Sequence, residues 1–546
     1  MKKTWKVLSR YPADPIGSIL KNRGIVDREE FLDPKYIHLQ DPLKIPGLKK
    51  AVSRIKKAIK NKERLGIFCD YDADGIPGGA ILYKTLSKFT KNLHYSVPMR
   101  EEGYGLNRSA VEFFKSSGVT LLLTVDCGVR NFEEIKYAKE LGIETIVTDH
   151  HQLGDKLPDA FAIIHPLIKK ENKLEFRDYS GGGVAFMLAR ELLAGNKEEK
   201  LLLDLAAIST IADVVPLVSD NRSIVKFGLW VLNRTQNVGL RELMSVSNLE
   251  IGKIGTYEIG FILAPRINAA GRISEPQVSF ELLTTSDRGE AKRLAKELNR
   301  LNGERQDLLE KAIVEAEEMV LKGGLQRNKI IVLKKEGWPQ GIIGLVSAKI
   351  TEKFYRPSIV ISEIEGKMHG SARSIKGINI TEIIGKTAEY LTSYGGHSQA
   401  AGLSLDRENF DGFERAILKE SKKLNDKFFE KQLIIDALLK IEQVDLNLAE
   451  MQEKLEPFGP GNPRPTIALE DVEVLNLRNV GKTQAHAKAE ICKGDHKCSI
   501  IGFNYERNGW KLEEGKKYDV AFSIKINEWN GSKKVDLVIS DVHPVG

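Results

Sequence analysis

Three aspartates, Asp70, Asp72 and Asp74, occupy alternate positions of IFCDYDADGIPGG (residues 67–79), and the chain then runs into glycine. D-x-D-x-D-G opens an EF-hand calcium loop, but that loop needs a bidentate glutamate at its twelfth position. Counting from Asp70 that position is Ile81, so calcium chemistry of this kind is excluded. Further acidic and imidazole groups follow other apolar runs. Asp126 follows LLLTV, Asp149-His150-His151 follows TIVT, and Asp213 lies in ISTIADVVPL. Two unit charges about 4 Å apart cost roughly 4 kcal/mol at an effective dielectric of 20. Five gathered carboxylates would cost on the order of tens of kcal/mol, more than the whole stability of a domain. Either these groups lie apart, as helix caps and turn residues, or cations neutralise them. Carboxylate-rich sets with one or two histidines suit manganese or magnesium better than zinc. A pair of such ions forms a clamp for phosphoryl displacement.

The elements that must carry these groups form an alternating pattern. RLGIFCD, LHYSVP, VTLLLTVD, IETIVTD and AFAIIHP read as short buried strands, separated by helical segments such as GGAILYKTLSKF, RSAVEFFKSSG and NFEEIKYAKELG. Such repetition predicts a parallel sheet covered on both faces. In open parallel sheets ligands bind beyond the carboxyl ends of the strands, which is where the acidic groups fall.

Five segments follow from the pattern. Residues 1–46 are a lead-in ending in breaker residues, and 47–280 carry the first α/β pattern. Residues 281–325 are charged, apolar at helical spacing and nearly free of proline, which predicts one or two long connecting helices. Residues 326–425 hold a second α/β block. Residues 432–546 are rich in strand signals, with an Asn-Gly hairpin at 530–531, and predict a small β-barrel.

Composition bounds the rest. At 546 residues the chain is too long for one core, and 42% hydrophobic with 29% charged residues is ordinary for a globular protein. The net charge of +7, from 82 basic and 75 acidic residues, is a mild lean toward polyanions. Cys69, Cys127, Cys492 and Cys498 show neither a CxxC pair nor zinc spacing and read as reduced thiols. No signal peptide or membrane-spanning stretch is visible, so the cytoplasm is the expected address. The GKT runs at 385–387 and 481–483 lack the Walker A glycine, since Ile380 and Asn476 stand there. No nucleotide-driven motor is expected.

The ordered motifs DYDADG, TVDCG, TDHH and IADVVPL resemble the DHH phosphoesterase superfamily. RINAAGR (266–272), GSARS (370–374), GGHSQAAG (395–402) and PFGPGNPRP (457–465) resemble its RecJ branch of single-strand-specific exonucleases. The resemblance implies a parallel-sheet DHH domain, a second α/β domain called DHHA1, and a C-terminal OB-type barrel. It implies that Asp70 and Asp72 hold one divalent cation and Asp74 another, with Asp126 bridging and His150 and Asp213 completing the second set. Manganese is the preferred ion of the family and magnesium a possible one. Asp149 would orient an imidazole, and His151 would face the scissile phosphate. Arg100, Ser371 and Arg373 would take a terminal 5′ phosphate. Gly395, Gly396 and His397 would reach a phosphate oxygen, and Arg266, Asn268 and Arg272 would position the strand backbone. Two departures, Cys69 before the first aspartate and Pro77 at the next helix start, touch no implied ligand position. An additional C-terminal domain known in some relatives is not expected.

The expected function is a metal-dependent 5′ to 3′ exonuclease on single-stranded DNA, releasing mononucleotides in repair and recombination. It would act as a monomer, with a helicase and a single-strand-binding protein as partners and no membrane. Barrel aromatics Phe503, Tyr505, Trp510 and Trp529 are candidates for base stacking, although barrel aromatics are core residues more often. One alternative is a phosphoesterase of short oligoribonucleotides or cyclic dinucleotides, which the long helix and barrel argue against. A scaffold with a dead site, as in DHH-like replication components, is the other; the complete set of acidic groups argues against it.

Overall fold

The chain opens on strand β1 (Thr4–Val7), which belongs with the carboxyl-terminal part of the sequence. The computed structural model describes residues 3–169, 173–364, 366–505, 508–529 and 532–545. Two compact units result. One comprises Gln40–Asp213 and Phe227–Glu430, and the other comprises Met1–Leu39, Val214–Lys226 and Lys431–Gly546.

In the larger unit β2 (Leu65–Cys69), β3 (Leu93–Ser96), β4 (Leu121–Val125), β5 (Glu144–Thr148) and β6 (Ala162–Ile164) pair in the order β3-β2-β4-β5-β6, all parallel. Every residue of β2 and β4 is buried, as expected for central strands covered on both faces. The helix Leu48–Lys60 turns Leu48, Ala51, Val52, Ile55 and Ala58 inward and its lysines outward, the period of an amphipathic helix. The helices Gly75–Leu86 and Gly181–Leu192 cross closely, because a Cβ on Gly78 would lie 3.0 Å from the Gly182 Cα.

A single helix of 35 residues, Arg288–Lys322, leads into the second α/β block. There β7 (Ile331–Glu336), β8 (Ser358–Ile364), β9 (Lys367–Arg373), β10 (Ser393–His397) and β11 (Ala400–Asp406) form a sheet in the order β10-β11-β9-β8-β7. Among these described strands only β7 and β8 run parallel; β8–β9 and β10–β11 are antiparallel neighbours in sequence, and β11 also pairs antiparallel with the more distant β9.

In the smaller unit β1 pairs in parallel with β12 (Gln432–Ile435). The short β13 (Ala437–Leu438) flanks β14 (Ile467–Val480). Strands β14, β15 (His486–Lys493), β16 (His496–Gly502), β18 (Ser532–Pro544) and β17 (Lys517–Trp529) follow one another, and β17 pairs back onto β14, closing a five-stranded barrel. The barrel of the sequence reading is present, and closure removes the exposed edges an open sheet would leave. Its core includes Ile491, Ile500, Val520, Phe522 and Leu537. The Asn530-Gly531 turn and the Trp529 side chain lie outside the described residues.

Candidate metal centre

The parallel ladder itself brings the acidic groups together. The Asp70 amide donates to Val125 O at 3.2 Å, the Asp126 amide to Thr148 O at 2.9 Å and the Asp149 amide to Ile164 O at 3.2 Å. Three neighbouring strands thus end on an aspartate at the same sheet edge. Asp126 takes a left-handed backbone with φ of 62°, an uncommon conformation for a residue with a side chain, and such strain collects at functional sites. Gly181 lies opposite it; a Cβ there would come within 2.5 Å of the Asp126 side chain.

Among the described residues three sets of donors have atoms within 4.8 Å of one another: Asp70 with Asp72 and Asp126, Asp74 with His150 and Asp213, and Asp126 with His150 and His151. The first two are the sets implied by the resemblance, and Asp126 stands between them. His150 Nε2 is 3.1 Å from Asp126 Oδ1, 3.5 Å from Asp74 Oδ2 and 3.7 Å from Asp213 Oδ2. Yet Asp70 Oδ1, Asp126 Oδ1 and His150 Nε2 are buried without a hydrogen-bond partner. Buried polar atoms are almost always paired, so orphaned oxygens and an imidazole nitrogen distributed over these adjoining sets fit ligands of cations.

Electrostatics agree. Burial first, and then neighbouring carboxylates, push Asp70, Asp126 and Asp213 above the usual carboxylate range. Burial likewise raises Asp74, against the pull of His150. Burial lowers His150, so its nitrogen is available as a donor. Left alone, the cluster takes up protons; divalent cations replace them.

Around this centre the chain supplies fixed partners. Asp74 accepts from the Gly181 and Gly182 amides at 2.7 Å each and from the Ser209 hydroxyl, at the start of the Gly181–Leu192 helix where free amides favour an anion. Asp72 Oδ1 accepts from the Asp74 and Gly75 amides, which holds the DYDADG turn. Asp149 is buried against its own charge, but contacts to His151 and the Val129 amide hold its carboxyl well below the usual range. Its Oδ1 lies 2.9 Å from His151 Nδ1, so Asp149 orients His151. Tyr104 Oη donates to Asp126 O at 2.7 Å and lies 3.0 Å from His151 Nδ1. His165 Nε2 bonds His151 O at 2.9 Å, and its Nδ1 accepts from the Leu167 amide. Gly181, Gly182, Ser209, Tyr104 and His165 were not among the expected site residues. SGGG opening an apolar run was their one visible sequence signal.

All of the expected phosphate groups but Arg266 and Asn268 line two cavities. Arg100, Arg272, Ser371, Arg373 and Gly395 line one of about 500 Å³. Gly396 and His397 line another of about 490 Å³, together with Gly395, Tyr104, Arg130 and His151. Arg100 lies over the Tyr71 ring and donates to Gly271 O at 3.0 Å. Arg373 donates to Ser371 Oγ at 3.1 Å. Arg266 stands outside both cavities, bonded to Asn299. Asn268 Oδ1 accepts from the Ala73 amide at 2.8 Å, so it braces the aspartate turn. In the barrel Tyr505 and Trp510 pack against the core, while Phe503 is exposed beside His486.

Comparison with known proteins places these features. The DHH family N-terminal domain matches residues 64–211, the DHHA1 domain 327–423 and the RecJ OB domain 435–541. The single-stranded-DNA-specific exonuclease RecJ of Bacillus subtilis is 39% identical over 96% of this chain and 67% of its own length. That of Salmonella typhimurium is 31% identical, over 92% of this chain and 91% of its own. The crystal structure of Thermus thermophilus RecJ with Mn2+ superposes with a TM-score of 0.83 at 30% identity, covering 100% of this chain and 80% of that one. The same protein has also been crystallised with Mg2+. With its orphaned carboxylate oxygens at the end of a parallel sheet, its second α/β block and its closed barrel, this chain belongs to the RecJ family.

Proposed function

We propose that the protein is a metal-dependent exonuclease that degrades single-stranded DNA from the 5′ end to mononucleotides. The observation that carries this reading is the pair of donor sets meeting at Asp126 and His150, whose buried atoms lack hydrogen-bond partners. Asp70, Asp72 and Asp126 would hold one divalent ion, and Asp74, Asp126, His150 and Asp213 the other. When bound, such ions acidify water and neutralise charge on phosphate oxygens.

The chain's own groups do the rest. Arg100, Arg272, Ser371 and Arg373 hold the terminal 5′ phosphate, the guanidinium forks meeting two oxygens at once. His151, oriented by Asp149, donates to a non-bridging oxygen of the next phosphate. Water oxygen bonds to that phosphorus, the bond to the 3′ oxygen of the first nucleotide breaks, and that oxygen takes up a proton. A 5′ mononucleotide leaves, and the shortened strand keeps a new 5′ phosphate, ready for the same pocket. A helicase or single-strand-binding protein would supply strands, and the cytoplasm would be the location. Among the described residues no helix is long and apolar enough to cross a membrane.

The test is degradation of end-labelled single-stranded DNA, duplex DNA and RNA, with manganese, magnesium and a chelator compared. Single-stranded DNA with either ion should be digested and the other substrates spared; no digestion of single strands would overturn the reading. Binding should weaken by roughly 0.7 log units per tenfold salt for each phosphate neutralised.

A further inference from the structure

The cavity that holds Arg100, Arg272 and Arg373 has a volume of about 500 Å³. One terminal phosphate displaces only a few waters of about 30 Å³ each, so most of that space lies beyond it. The sheet shows where. On β9, His369, Ser371 and Arg373 alternate and share one face. β11 sets Ser404, Gly402 and Ala400 opposite them, and β10 sets Ser393, Gly395 and His397 opposite those. The row of Arg373 ends on His397, which lines the cavity of His151, so this row lies toward the metal centre. In the middle row, beside Ser371, a Cβ on Gly402 or Gly395 would meet nothing within 4 Å. The floor is open there. The far row is His369, Ser404 and Ser393, all three on the same cavity.

The far end is polar and able to donate. His369 Nδ1 lies 3.2 Å from Ser404 Oγ. Burial and Lys367 lower the His369 pKa, which keeps the ring neutral. With the Ser404 hydroxyl donating to Nδ1, the ring proton sits on Nε2, for which no partner exists among the described residues. Across the cavity the helix Gln340–Phe354 begins without a side-chain cap, and Gln340 and Gly341 form the wall. The first amides of a helix have no partner within it and favour an anion. Gly344 lets this helix approach, since a Cβ there would lie 3.0 Å from Ser371 Oγ.

Charge also exceeds what one phosphate brings. Among the described residues lining the cavity none is acidic, and three are arginines. A terminal monophosphate carries about −1.5 to −2. Burial first, then Arg100 and Arg305, lower Arg272 to about 10, with Asp72 opposing. Cations crowded in this way favour a ligand of higher negative charge.

We propose that this pocket accepts a 5′ di- or triphosphate end, with the first phosphate on Arg373 and Ser371 and the outer ones above Gly402 and Gly395, reaching toward His369 and Ser404. The proposal rests on the exonuclease reading given above. It extends the substrate class to strands begun directly from a nucleoside triphosphate, because such strands keep that end. The hydrolytic step is unchanged. Water oxygen bonds to the phosphorus between the first two nucleotides, the bond to the 3′ oxygen breaks, and that oxygen takes up a proton. The phosphoanhydride bonds stay intact, so the first product is a nucleoside triphosphate and the later ones are mononucleotides.

The experiment compares one single-stranded DNA sequence ending in a 5′ hydroxyl, monophosphate or triphosphate, with the full-length protein. In chelator the triphosphate strand should bind about tenfold tighter than the monophosphate strand, the effect of one added charge-assisted contact. With manganese, chromatography should show a nucleoside triphosphate as the product of the first cut. His369→Leu should remove the advantage of triphosphate over monophosphate, and His369→Gln, which keeps a donor, should restore part of it. Should His369→Leu melt before wild type does, Ser404→Ala reads the same ratio. Equal binding of the two phosphorylated strands by wild type, a triphosphate strand that resists cleavage, or a ratio that neither variant moves would each overturn the extended pocket. The exonuclease reading would then still stand on the monophosphate strand. If wild type neither binds nor digests any of the strands, both fall.

Discussion

His150 Nε2 lies 3.1 Å from Asp126 Oδ1, yet neither atom has a hydrogen-bond partner. The two donors face a common point more than they face each other, as two ligands of one cation do. Asp126→Ala should therefore lower strand cleavage by about three orders of magnitude, equivalent to roughly 4 kcal/mol in the barrier. Single-strand binding, measured by fluorescence anisotropy, should stay within a few-fold of wild type. Near-normal turnover would remove Asp126 from the centre.

Gathered carboxylates repel, so the ions should act as ligands of the folded state. Manganese at 100 times its dissociation constant should stabilise the protein by about 2.7 kcal/mol, read as a rise in Tm. Asp213→Asn removes one of the charges that burial and Asp74 disfavour. The variant should melt higher than wild type in chelator and gain less from manganese. The opposite order would mean that the carboxylates do not strain the metal-free fold.

Gly181 offers a separate probe, because a Cβ there would come within 2.5 Å of the Asp126 carboxylate. Gly181→Ala should displace Asp126, lower activity by about a hundredfold (roughly 3 kcal/mol) and shrink the manganese-induced Tm shift. Unchanged activity would show that Asp126 can move without loss.

Arg373 is bonded to Ser371 Oγ in the cavity that also holds Arg100 and Arg272. Arg373→Gln should raise KM for 5′-phosphorylated strands about tenfold and barely change it for 5′-hydroxyl strands. An equal loss on both ends would remove Arg373 from the terminal-phosphate pocket.

His165 is fully buried, and burial lowers its pKa from 6.5 to about 4, against the opposing pull of Asp149 and its bond to His151 O. Because the folded value lies below the unfolded one, its contribution is complete above pH about 6.5 and is lost as pH falls through about 4. The full span is on the order of 3 kcal/mol. Urea melts at pH 7.5 and pH 5 should show wild type losing more stability between them than His165→Asn does. Equal losses would contradict a neutral buried imidazole.

Much of this was legible in the chain. LGIFC is apolar at every position and LLLTV at every position but Thr124, the pattern of a strand covered on both faces. Side-chain periodicity is a local property, so a sequence displays it directly. DYDADG, TVDCG and TDHH showed the acidic groups at strand ends for the same reason. Asn268 was different: its motif said phosphate, but its carboxamide braces the Ala73 amide, because an adjacent turn with a free N–H competes for it. Tyr505 and Trp510 were candidate stacking groups, and the structure packs both against the barrel core.

By itself the sequence determined which groups can carry charge, which segments form strands and helices, and that neighbouring strand ends bear acids. Only the tertiary structure decided that Gly181 and Gly182 point their amides at Asp74 and that His165 steadies the DHH turn. These pairings join positions from 14 to more than a hundred residues apart. They depend on strand register and on how closely two helices can cross, which no local pattern records.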